Sequence, residues 1–138
     1  MTKPLILVTA DVKPVDGYNW HAAPSTYLHA VVTGENTKEN VAAYLEEVLR
    51  ECGTRGCFRI LIEERLEGPR LGTADVFALA SEGSARALGA MKAIAYVDVN
   101  AQGGLMRFAE TVAVNRAVPV TVFATVAEAE EWLRSQGA

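Results

Sequence analysis

Phe58 to Met91, FRILIEERLEGPRLGTADVFALASEGSARALGAM, reads as a buried strand, a turn-rich joint and a helix. The strand rests on Phe58, Ile60, Leu61 and Ile62, a short apolar run with β-branched and aromatic members that stops at Glu63-Glu64. Such a run belongs in the middle of a sheet. Gly68, Pro69 and Gly72 then break the periodicity, and Thr73 with Asp75 supplies an N-cap and a first-turn acid for the following helix. Phe77, Ala80, Ser84, Leu88 and Met91 recur at helical spacing, which predicts a stripe packed on the sheet with Glu82 and Arg86 left in water.

Upstream, Leu5-Ile6-Leu7-Val8 reads as a first strand that can continue to Val12. Asp11 to Thr26 carries Pro14, Gly17, Asn19 and Pro24, the composition of a long loop. That loop also holds Tyr18, Trp20 and His21, aromatics that could close over a pocket, contact a partner or staple the loop to the core. Tyr27 to Thr33 alternates as a second strand, ended by Gly34. Thr37 caps a helix from Lys38 to Cys52, in which Val41, Tyr44, Leu45, Val48, Leu49 and Cys52 form one apolar stripe and Gly53 is the stop.

Downstream, Ala93 to Val99 is nearly continuously apolar, as a strand covered on both faces requires. Asn100 and Gly103-Gly104 mark its exit, and Leu105, Phe108, Ala109 and Val112 define a helix fading near Arg116. Val118 to Phe123 is a last strand, with Pro119 tolerable at its start. Thr125 to Glu128 forms a capping box, and Val126, Ala129 and Leu133 face inward from the closing helix, with Trp132 beside them. The order β, β, α, β, α, β, α, β, α predicts an α/β fold: a mixed, mostly parallel sheet of about five strands with four helices. Residues 1–138 are expected to form a single domain with a long loop at 11–26.

Composition narrows the function classes. Half of the 138 residues are hydrophobic, 22% are charged, and neither repeats nor low-complexity tracts are present, which argues against disorder. With 17 acidic against 13 basic residues, a net charge of −4 and no Lys/Arg cluster, the footprint of a nucleic-acid or anionic-membrane binder is missing. The apolar residues of Leu5–Ala10 are too few for a secretion signal, and no segment approaches a membrane span. Cys52 and Cys57 do not match zinc or thioredoxin spacing, so reduced thiols and a cytoplasmic setting are expected.

The chain resembles the STAS superfamily and, more closely, the SpoIIAA-like group of small bacterial proteins related to anti-sigma-factor antagonists. The resemblance covers Tyr27 to Leu133. It rests on element order, on FRILIEE leading into the joint and the helix from Thr73, on AIAYVDVN, and on VPVTVFATVAEAEEWL. It implies a non-enzymatic regulatory or ligand-binding module. A further likeness of that group to Sec14-type lipid-binding folds implies that an apolar ligand is conceivable. In the antagonists a regulatory Ser, near an Asp-x-Ser pattern, lies beside the start of the helix after the central strand. Here the joint reads Leu71-Gly72-Thr73-Ala74-Asp75, which lacks that pattern and makes Thr73 the candidate phosphosite. A phosphate there would sit favourably at a helix N-terminus, although capping alone also accounts for the residue type.

In open α/β sheets ligands bind beyond the carboxyl ends of the strands. That rule gathers Gly34-Glu35, Glu63-Glu64, the joint up to Thr73, Asp98 to Asn100 and Ala124-Thr125 along one edge. Glu63 and Glu64 should diverge to opposite faces, which leaves Glu64 with Asp98 as the better carboxylate pair. Arg65 and Arg70 follow closely enough to make a solvated ion-pair network the simpler reading. The candidate ligand- or partner-binding set is therefore Glu64, Arg70, Thr73, Asp98 and Asn100, with Tyr18 and Trp20 from the loop; the partner is a protein or a small molecule. No catalytic residue, cofactor or metal is expected: the oxygens of Glu64, Asp98 and Asn100 lack a metal-loop signature, and His21, His29, Cys52 and Cys57 are scattered. Two alternatives are a small enzyme using Glu64 and Asp98, and a homo-oligomeric module, such as a homodimer, joined through the loop aromatics.

Overall fold

Five strands, β1 (Ile6–Pro14), β2 (Thr26–Glu35), β3 (Arg59–Glu67), β4 (Ala93–Asp98) and β5 (Val120–Phe123), lie in that order across one sheet. The computed structural model describes residues 6–14, 26–68, 71–87, 91–98, 110–112, 114–115 and 118–135. β1 runs antiparallel to β2, and every later pairing is parallel. This is an α/β fold with a mixed sheet, as the element order predicts: a hairpin can join antiparallel neighbours, whereas parallel ones need a crossover.

The first crossover is helix α1 (Lys38–Arg55). Thr37 caps it, its side chain accepting from Asn40 N at 3.1 Å. Val41, Tyr44, Val48 and Cys52 are buried, so the apolar stripe reads as predicted. Gly53 does not stop the helix, which continues to Arg55. The stop is Gly56, whose φ of 67° is left-handed and costs a glycine little. Gly56 N donates to Gly53 O and Cys57 N to Cys52 O, the paired bonds of a Schellman ending.

Helix α2 (Thr73–Ala87) is the second crossover. Thr73 is its first residue, and Gly72 holds the cap position, with Val76 N donating to Gly72 O. Its inward stripe is rotated from the expected one. Leu79 is buried, Val76 and Ala80 are partly so, and Gly83 meets Leu45 Cδ1 of α1, whereas Phe77 is exposed. This face is the one turned to α1, against which α2 packs. Leu88 lies outside the described residues, and Met91 is buried ahead of β4 rather than on the helix.

Both crossover helices pack on one sheet face, against Leu28, Ala30, Val32, Ile60, Ile62 and Ile94. The closing helix, Val126–Ser135, covers the other face at β3, β4 and β5, where Ala129 and Leu133 bury against Leu61, Ala93, Ala95 and Val97. Thr125 caps it, accepting from Glu128 N at 3.2 Å. Trp132 lies against Phe123, with ring centroids 5.5 Å apart. Helical residues at 110–112 and 114–115 fall where a helix was expected between β4 and β5; Leu105, Phe108 and Ala109 lie outside the described residues.

Two limits of β3 differ from expectation. Phe58 precedes the strand and is 53% exposed, with Lys92 Nζ 5.9 Å from its ring centroid. At the other end the strand runs through Glu63 and Glu64 to Glu67, and both of those acids are buried. β1 likewise extends through Asp11 to Pro14, so the first four residues of the expected loop are strand; residues 15–25 lie outside the described residues.

Candidate functional site

The alternation of β3 sends Glu63 and Glu64 to opposite faces, and each meets a different environment. Glu64 turns toward α1. Tyr44, fully buried in the apolar stripe of that helix, brings its hydroxyl onto Glu64 Oε2, and the Tyr96 hydroxyl from β4 contacts the same oxygen. The two phenols also contact each other, so three oxygens from three elements form a closed triangle. Asp98 is the register partner of Glu64 on the neighbouring strand and points to the same face.

Burial raises the Glu64 carboxyl above its ordinary range, opposed by the hydrogen bonds from Tyr44 and Tyr96 and reinforced by the nearby Asp98 charge. Burial likewise pushes both tyrosines well above the usual phenol range, with the Glu64 charge adding to it. These directions fit an acid packed among apolar side chains.

Glu63 turns toward the closing-helix face and sits in a polar row across three strands. Lys13 Nζ of β1 is 2.8 Å from His29 Nδ1 of β2, His29 Nε2 is 3.0 Å from Glu63 Oε1, and the Arg65 guanidinium binds Glu63 Oε2. Burial acts to raise the Glu63 carboxyl, but hydrogen bonds from Arg65 and His29 outweigh it and hold the group below its ordinary range.

On this same face Tyr27 donates to Glu130 Oε2 of the closing helix at 2.7 Å. Cys52 and Cys57 are free and buried, and burial, with smaller effects from Cys57 and Glu51, pushes the Cys52 thiol up to about 12. A thiol held there is a poor nucleophile.

Of the residues singled out from sequence, Glu64 and Asp98 come together on one face, Asp98 at the carboxyl end of β4 and Glu64 three residues inside the end of β3. Thr73 is exposed at the start of α2, on the same edge of the sheet. Arg70, Asn100, Tyr18 and Trp20 lie outside the described residues. Arg65 pairs with Glu63 and so belongs to the opposite face from Glu64. Sequence reasoning missed Tyr44, Tyr96, His29 and Lys13. A signal existed for the tyrosines: a phenol within an apolar stripe or an apolar strand must find a buried hydrogen-bond partner.

Comparison of the chain with protein-family models, curated proteins and solved structures gave no match. Among the described residues, no group of His, Cys, Asp and Glu side chains is arranged to hold a metal ion. No helix among them is long and apolar enough to cross a membrane.

Proposed function

We propose that the chain is a regulatory or ligand-binding module of the STAS/SpoIIAA-like kind, with its site at the carboxyl edge of β3 and β4. The observation that carries this reading is the pairing of Glu64 with Asp98 on one face near the end of β4, with the exposed Thr73 opening the helix that follows β3. Open α/β sheets bind ligands where their connections diverge beyond the strand ends. Glu64 itself is buried and held by Tyr44 and Tyr96, so Asp98 and Thr73 are the groups of that set that reach solvent. Thr73 is the hydroxyl through which a phosphate could alter that edge electrostatically.

Native mass spectrometry of freshly purified protein, set against its denatured mass, tests the proposal. The expected result is an added mass, from a small molecule or a partner, that is lost on denaturation and diminished in Asp98→Asn. A bare chain, together with a small-molecule thermal-shift screen in which wild type and Asp98→Asn respond alike to every compound, would overturn it. Turnover of a screened compound that vanishes in both Glu64→Gln and Asp98→Asn would replace binding with catalysis at the same edge.

A further inference from the structure

The triangle formed by Tyr44, Glu64 and Tyr96 can be examined by counting protons. Its three sides are three oxygen–oxygen contacts: each phenol with Glu64 Oε2, and the two phenols with one another. Each such contact needs one hydrogen between its oxygens. With Glu64 ionised, only the two phenol hydrogens are on hand. Two sides are then bonded, and the third presses lone pairs together inside the core, where an unsatisfied polar contact is costly. A proton on Glu64 resolves this. The carboxyl donates to one phenol, that phenol to the other, and the second phenol back to Oε2, so that each oxygen donates once and accepts once.

We propose that Glu64 is a neutral carboxylic acid in the folded protein at neutral pH, closing a three-proton ring that ties α1 to β3 and β4. The surroundings agree. Among the described residues, the titratable groups facing Glu64 are Tyr44 from α1 and Tyr96 and Asp98 from β4; β2 presents Val32 at that register. None of these is a cation. Arg65, the next residue along β3, is spent on Glu63 across the sheet. Burial and the Asp98 charge favour the protonated form and together outweigh the hydrogen bonds that the phenols offer the ionised one. The ring is therefore a store for one proton, and loss of that proton at alkaline pH leaves one side of the triangle without a hydrogen. This inference does not depend on the ligand-binding reading.

Infrared spectroscopy of protein carrying isotope-labelled glutamate tests it directly. A protonated-carboxyl C=O stretch is expected at neutral pH in wild type. It should be absent in Glu64→Gln and shifted in Tyr96→Phe, where one ring hydrogen bond is lost. Because Glu64→Gln could fail to fold, Asp98→Asn supplies a second arm: without the neighbouring charge, the same band should vanish at a lower pH than in wild type. A wild-type spectrum with only carboxylate bands at neutral pH would overturn the proposal, as would a band unmoved by every one of these substitutions. The folding constant offers an independent check. Relative to Glu64→Gln, that of wild type should fall as pH rises above the ordinary value of 4.5 toward the folded value, approaching about tenfold per pH unit. A ratio that stays flat from about pH 5 to about pH 8 would also overturn it.

Discussion

Glu63 and Glu64 are neighbours in sequence, both shielded from solvent but at different depths, and shifted in opposite directions. On the closing-helix face Glu63 is surrounded by donors from Lys13-linked His29 and from Arg65, so the ionised form is favoured. On the α1 face burial, reinforced by the Asp98 charge, outweighs the hydrogen bonds from Tyr44 and Tyr96, so the protonated form of Glu64 is favoured. Residue type is the same; depth and company differ, with Glu64 the more deeply packed of the two. A buried carboxyl takes its charge state from what faces it, and on a strand one step along the chain changes everything that faces it.

The largest test of this contrast is Tyr44→Ala. It removes a fully buried aromatic from α1 and should cost about 3–5 kcal/mol in denaturant unfolding. Tyr44→Phe, which keeps the ring and deletes the hydroxyl, should cost about 1 kcal/mol. Equal losses for the two variants would mean that the triangle, rather than packing, holds α1 in place.

On the opposite face, Glu63→Gln should cost about 1–3 kcal/mol, with little of it from Arg65, because that guanidinium is half exposed and solvent-screened. The sharper readout is pH. Glu63 is held below its ordinary value of 4.5, so its contribution is present above that pH and lost as pH falls through the folded value. Glu64 is held above 4.5, so its contribution is present below that pH and lost as pH rises. Glu63→Gln should therefore flatten the acid limb of the stability profile and Glu64→Gln the limb on the alkaline side. Profiles that change on the same limb would break the contrast.

Thr37→Ala should cost about 1 kcal/mol by leaving Asn40 N without its capping acceptor. The smallest effect belongs to Phe58→Ala. That residue stands outside β3 and half in water, so chemical denaturation should register a change within about 0.5 kcal/mol. A loss of several kcal/mol would return Phe58 to the core, where the sequence reading put it.

The contrast between Phe58 and the acids shows where sequence patterning has its reach. Ile60, Leu61 and Ile62 identify a central strand because burial on both faces demands an apolar run. The same pattern places the strand start one residue too early, at Phe58, and its end too soon, at Glu63-Glu64, since a charged residue normally signals water. Here the strand continues because partners from β2, β4 and α1 satisfy those acids. The stripe of α1 is legible because its apolar residues repeat faithfully. That of α2 is not, because alanines and small residues populate several of its faces and only packing against α1 and the sheet selects one.

By itself, then, the sequence determined the α/β class, the order of strands and helices, the Thr37 and Thr125 caps, and the divergence of Glu63 from Glu64. Each follows from local period or local capping, which act over a few residues. Tertiary structure alone decided that Tyr44, Glu64 and Tyr96 meet, and that Lys13, His29 and Glu63 form a row. Those groups lie 16 to 52 residues apart in the chain, and their chemistry arises only when pairing register and helix packing bring them to one place.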